Sequence, residues 1–78
     1  MEITRRLGLS PRERGSLSNA TCPDIFELSN GDFAVIGTDM TQTLDGILPA
    51  DAARADHERI VVVSRETLIA ARRDIPEA

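Results

Sequence analysis

Asn30-Gly31, set between two runs of strand-forming residues, constrains this chain more than any other feature. The stretch Cys22-Pro-Asp-Ile-Phe-Glu-Leu-Ser-Asn-Gly-Asp-Phe-Ala-Val-Ile-Gly37 reads as a β-hairpin. Asn-Gly suits a two-residue type I′ turn, which needs positive φ at both central positions and matches the twist of the flanking strands. If Ser29 and Asp32 close that turn, Leu28 faces Phe33, Glu27 faces Ala34, Phe26 faces Val35 and Ile25 faces Ile36. Strand side chains alternate, so Phe26, Leu28, Phe33 and Val35 are expected on one face, the core face. Ile25, Ala34 and Ile36 then surround Glu27 on the other. A slip of one residue would separate the two phenylalanines, which favours this register.

The remaining elements are placed around the hairpin. Thr38 or Asp39 can cap a short helix over Met40 to Asp45, ended by Gly46, with Met40 and Leu44 sharing a face at i,i+4 spacing. Ile47 and Leu48 are expected to tuck onto the sheet before Pro49. Residues 50–59 show no apolar period and read as an exposed connection whose role is reach. Ile60-Val61-Val62-Val63 is an apolar, β-branched run, expected to be the sheet's central strand and buried on both faces. Ser64 then offers an N-cap and Glu66 suits the first turn of a helix whose inward face is Leu68, Ala71 and Ile75. Arg72 and Arg73 suit its last turn, and Pro76 stops it. The expected fold is α+β: a β-hairpin plus a third strand in a small sheet, a short helix in the connection, and a C-terminal helix over 65–74 covering the Phe26, Leu28, Phe33 and Val35 face.

The chain has 78 residues, enough for one small domain, which buries only about 60% of its unfolded surface. Oligomerisation or a partner is therefore expected, with a homodimer through the Ile25, Ala34 and Ile36 face as one solution. Residues 1–19, rich in Arg, Ser and Gly, read as a flexible arm, and 20–78 as the folded domain. Arg5, Arg6, Arg12 and Arg14 against Glu2 and Glu13 leave the arm at +2 and the domain at −6 within a net charge of −4. An acidic domain repels phosphate, so direct nucleic-acid binding is not expected. No apolar run approaches the roughly 20 residues that span a bilayer, so no membrane association is expected. Thr4-Arg5-Arg6-Leu7 is followed by no apolar segment and is not an export signal. One cysteine allows no intrachain disulfide, and a reducing cytoplasm is the expected compartment.

Catalytic chemistry finds little support. A nucleophilic Cys22 would need a base and an orienting group, and His57 is the sole histidine. One cysteine and one histidine make a weak zinc set. Asp56-His57-Glu58 places two acids beside the histidine, but neighbouring side chains diverge unless the loop bends sharply. Asp24, Glu27, Asp32 and Asp39 read as solubilising charges on strand edges, which also prevent unwanted strand pairing. The five glycines are scattered, so there is no phosphate-cradling loop. No catalytic, cofactor-binding or metal-binding residues are assigned. The surface expected to meet another protein is the solvent side of the hairpin and its tip, Glu27, Ser29, Asn30 and Asp32, with the flanking Asp39.

The order of Cys22, a first strand, a turn with Gly31-Asp32, Ala34-Val35-Ile36-Gly37-Thr38-Asp39, and Ile60-Val61-Val62-Val63-Ser64 leading into a helix with Glu66 and Leu68 resembles a family. It is similar to the small actinobacterial partner domains, of unknown function, encoded beside helix-turn-helix regulators. The resemblance covers residues 19–75. It implies a regulatory or antitoxin-like protein without enzyme activity, acting through contact with a DNA-binding regulator. Two other readings stand beside it: an accessory protein of a biosynthetic pathway, and a small thiol-dependent enzyme or redox protein using Cys22.

Overall fold

The computed structural model describes residues 1–10 and 23–77. Its architecture is α+β. A three-stranded antiparallel sheet has the order β1 (Ile3–Arg6), β2 (Asp24–Leu28), β3 (Phe33–Ile36), and a second, two-stranded sheet pairs β4 (Thr38–Asp39) with β5 (Val61–Val62). A short helix, α1 (Thr41–Leu44), lies in the connection, and α2 (Arg65–Ala71) follows β5.

The hairpin forms where expected, with its register displaced by one. Asp24 pairs with Ile36, Ile25 with Val35, Phe26 with Ala34 and Glu27 with Phe33. The turn explains the slip. The Leu28 N–H donates to the Asp32 carbonyl at 2.9 Å and the Gly31 N–H to the Leu28 carbonyl at 3.0 Å, so the loop is Ser29, Asn30 and Gly31. Such a three-residue loop is a β-turn completed by one left-handed residue, a place Gly31 fills with φ +93°. The Asn30 side chain accepts from the Asp32 N–H at 3.0 Å, holding the turn from within. Side-chain alternation then sets Phe26, Leu28, Ala34 and Ile36 on one face and Ile25, Glu27, Phe33 and Val35 on the other. The two phenylalanines are therefore on opposite faces, not together in one core face.

The third strand comes from the N-terminus. Ile3 pairs with Leu28, Arg5 with Glu27 and Arg6 with Phe26, with a bulge between Ile3 and Arg5. Residues 3–6 thus belong to the sheet rather than to a flexible arm; residues 11–19 of that expected arm lie outside the described residues. Charge pairing across the ladder holds β1 in place. Arg5 meets Glu27 at 2.7 Å, and Arg6 meets Asp24 at 2.9 Å while its guanidinium sits 5.3 Å from the Phe26 ring centre. The Ser29 N–H also donates to the Glu2 carbonyl at 2.8 Å, closing the upper end.

The valine run is not the centre of this sheet. Val61 and Val62 are 40% and 45% exposed and pair with β4, the continuation of β3 beyond Gly37. A Cβ at Gly37 would lie 2.7 Å from the Val62 carbonyl oxygen, so the absence of a side chain there lets the two backbones cross closely.

α2 is capped as expected: the Ser64 hydroxyl accepts from the Thr67 N–H at 3.2 Å. Its inward face matches the expected one at Ala71 and departs from it at Leu68 and Ile75. Thr67 and Ala71 are buried, whereas Leu68, Ile69 and Ile75 are all more than half exposed. Small residues face inward because the helix sits on backbone: a Cβ at Gly8, whose φ is +78°, would lie 3.0 Å from the Ala70 carbonyl carbon and the Ala71 nitrogen. The Gly8 N–H donates to the Asp74 carboxylate at 2.7 Å, and Arg5 donates to the Asp74 carbonyl. Leu7, Ile25 and Ala71 form the buried apolar cluster. α2 therefore covers the Ile25 face, not the Phe26 and Leu28 face, and leaves Phe33 and Val35 of that same face 42% and 46% exposed.

Candidate protein-interaction surface

The hairpin tip presents the residues expected to meet a partner, and each is held in place by its neighbours. Ser29 accepts from the Glu2 N–H through its hydroxyl at 2.9 Å. Asn30 and Asp32 are joined by the turn bond and by a side-chain contact of 3.3 Å. Glu27 points to the α2 side of the sheet and is bound to Arg5 at 2.7 Å. Asp39 is not part of this group. It lies in β4, about 20 Å of extended chain beyond the start of β3. There its carboxylate accepts from the Thr41 N–H at 3.0 Å and the Thr41 hydroxyl at 2.7 Å, initiating α1. Those two bonds hold the Asp39 carboxyl below its ordinary range, with smaller help from Arg59 and Arg54. The structure thus gathers Glu27, Ser29, Asn30 and Asp32 around the hairpin end and sets Asp39 to a local structural task.

The connection expected to provide reach is instead fastened down. Arg54 grips both carboxylate oxygens of Asp45, at 3.3 and 3.0 Å, and donates to the Ala55 and Glu58 carbonyls at 3.1 and 3.0 Å. The Glu58 carboxylate accepts from the Ala55 N–H at 2.7 Å. Its far end is tied to α1: the Ile60 N–H donates to the Thr41 hydroxyl and the Met40 N–H to the Ile60 carbonyl, both at 2.8 Å. The hydrogen bonds from Arg54 lower the Asp45 carboxyl below its usual range. An open cleft of about 610 Å³ lies between α1 and this loop, lined by Asp39, Thr41, Gln42, Thr43, Arg54 and Arg59 among others. Its cations are engaged with protein groups, since Arg59 donates to the Asp56 and Glu58 carbonyls. The cleft is therefore built as a clip between two loops.

His57 is exposed in a turn with Asp56. Cys22 lies outside the described residues, so no geometry links the two. Among the described residues, no group of three His, Cys, Asp or Glu side chains is arranged to hold a metal ion. No helix among them is long and apolar enough to cross a membrane.

What sequence reasoning missed is apolar. Ile3, Phe33, Val35 and Ile36 of the three-stranded sheet are 42–60% exposed, as are Leu68, Ile69 and Ile75 around α2. A chain with three buried apolar residues among those described, and this many large ones in water, carries far more exposed apolar surface than its core conceals. One signal was present in the sequence: Thr67, Ala70, Ala71 and Asp74 recur at helical spacing as an alternative inward face of small residues.

Fold and surface together define a small α+β domain with an under-covered sheet and an outward-facing apolar helix. No family model, curated protein or solved structure matches this chain.

Proposed function

We propose that this chain is a non-catalytic, cytoplasmic protein-interaction module that modulates a helix-turn-helix transcription regulator, in the manner of an antitoxin-like partner. The observation that carries this reading is the exposed apolar surface of the sheet, above all Phe33 and Val35, which share a face with the buried Ile25 yet lie beyond the cover of α2. Clustered apolar side chains of this kind mark interaction sites in soluble proteins. Asp32 stands at the exposed tip beside Phe33, and the part of the chain from residue 20 onward carries −6, so the favoured partner offers a basic surface around an apolar contact. A DNA-binding regulator presents such a surface. The resemblance in chain order to partner domains encoded beside such regulators supports the same choice.

Co-expression with the regulator encoded alongside, followed by calorimetric titration, tests the reading. Val35→Lys places a charge in the apolar contact and is expected to weaken the complex at least tenfold, with an unchanged far-ultraviolet circular dichroism spectrum. Asp32→Lys is expected to lower the association rate and its salt dependence. Failure to form a complex, or unaltered affinity of Val35→Lys, would remove this function.

A further inference from the structure

The two edges of the three-stranded sheet are built differently. β1 is interrupted by a bulge between Ile3 and Arg5 and carries Arg5 and Arg6, devices that keep an edge strand from taking on another chain. β3 is the other edge, and its Phe33-Ala34-Val35-Ile36 has no charge, proline or bulge. The hydrogen bonds of β2 fix which way the β3 backbone faces. On the β1 side, the Ile25 carbonyl accepts from the Leu7 N–H at 2.9 Å and the Ser29 N–H donates to the Glu2 carbonyl at 2.8 Å. On the β3 side, the Leu28 N–H donates to the Asp32 carbonyl at 2.9 Å. Backbone groups alternate along a strand, so Ala34 and Ile36 face β2, and the N–H and C=O groups of Phe33 and Val35 turn outward. Among the described residues, no group hydrogen-bonds to that outer edge. The side chains of Phe33 and Val35 share the α2 side of the sheet and are 42% and 46% exposed.

We infer that β3 pairs with β3 of a second copy of the chain, antiparallel about a two-fold axis at Ala34, which joins the two sheets into one. The positions of the outward groups select that occupant and its register. A two-fold axis normal to the sheet keeps α2 of both copies on the same side and makes each contact reciprocal. Phe33 of each chain then lies opposite Val35 of the other, and each such pair exchanges both of its N–H···O=C bonds. Moving the axis to Val35 would set Phe33 against Gly37, whose backbone is already crossed by Val62, and moving it to Phe33 would set Val35 against the turn at Gly31. Ala34 meets its own copy at the axis, where Cα atoms of a non-hydrogen-bonded pair come within about 4.5 Å and a small side chain fits. Phe33 with Val35 is a favourable aromatic and β-branched cross-strand pair, formed twice. No like charges are opposed: Asp32 lies beside Ile36 of the copy, and the two Asp32 residues stand about 13 Å apart along the strands, beyond the roughly 8 Å screening length. Strand addition draws its affinity from main-chain hydrogen bonds rather than from a large apolar area, so the dimer is a weak one. It forms in the plane of the sheet, whereas the partner contact proposed above is on its face, so the two readings stand or fall separately.

Sedimentation equilibrium of the full chain between about 10 μM and 1 mM tests the pairing, the range expected for an interface at the small end of the scale. The wild type is expected to pass from monomer to a dimer of twice 8.5 kDa. Over the same range, amide exchange at Phe33 and Val35 is expected to slow with concentration, while Ala34 and Ile36, bonded to β2, stay protected throughout. Val35→Pro removes an outward N–H without removing a bond to β2, and is expected to raise the dissociation constant at least tenfold with an unchanged circular dichroism spectrum. Ala34→Glu and Ala34→Lys test the axis independently. Each sets two like charges against one another and is expected to weaken its own dimer about tenfold, whereas an equimolar mixture of the two is expected to associate at least as tightly as wild type. A wild-type monomer up to 1 mM, a dimer in which Phe33 and Val35 exchange as fast as in the monomer, or a mixture no tighter than either variant alone would overturn the inference.

Discussion

Replacing Leu7 with alanine separates a folded N-terminus from a dispensable one. Leu7 is 3% exposed, and it packs in the buried cluster with Ile25 and Ala71 while its N–H donates to the Ile25 carbonyl at 2.9 Å. Leu→Ala changes in cores cost about 2.7–5 kcal/mol, the higher values where the cavity cannot collapse. This cluster is thin and close to solvent, which favours partial relaxation and a loss of about 3 kcal/mol. Set against 78 residues at about 0.05–0.15 kcal/mol each, or roughly 4–12 kcal/mol in total, that loss removes a quarter to most of the stability. The chain has no Trp or Tyr, so far-ultraviolet circular dichroism in urea is the suitable assay. With an m-value near 1 kcal/mol/M for so small a domain, the midpoint is expected to fall by about 3 M. Protomer concentration must be held fixed, since association of folded chains adds to apparent stability. Ile3→Ala, at a site 60% exposed, is the control and is expected to cost under about 1 kcal/mol. A Leu7→Ala protein within 0.5 kcal/mol of wild type would show that residues 1–10 are not part of the cooperative unit.

Two further outcomes are expected. Phe33→Ala, at a position 42% exposed, should cost no more than about 2 kcal/mol in the same urea assay, well below the 3–5 kcal/mol of a fully buried phenylalanine; a loss in that upper range would place Phe33 in a core. Asp39 and Asp45 both have folded-state pKa values held below the unfolded value by bonds from Thr41 and Arg54, so each contributes stability that is present above pH 4 and lost as pH falls through the lowered pKa. Amide exchange at Thr41, corrected for its intrinsic pH dependence and followed by nuclear magnetic resonance from pH 5 downward, should lose protection as the Asp39 carboxylate is protonated, and a Thr41 amide that titrates at an ordinary aspartate midpoint would refute the role of Asp39 in holding the start of α1.

The sequence by itself determined the class and most of the punctuation of this fold. The hairpin around Asn30-Gly31, the Ser64 cap, the helix after it and the short helix initiated at Asp39 are all local events, set by turn chemistry, side-chain capping and propensity within a few residues. The tertiary structure decided everything that depended on which surfaces meet. A single left-handed residue at Gly31 made the loop three residues long, and because strand side chains alternate, that one-residue difference moved Phe33 and Val35 to the opposite face from Phe26 and Leu28. β1 was illegible because its four residues alternate poorly and gain their place from Glu27 and Asp24, more than seventeen positions away along the chain. The candidate site followed from the same long-range choices. α2 packs closely against the Gly8 backbone at Ala70 and Ala71, with Thr67 and Ala71 buried, and this leaves Leu68 and Ile69 turned outward.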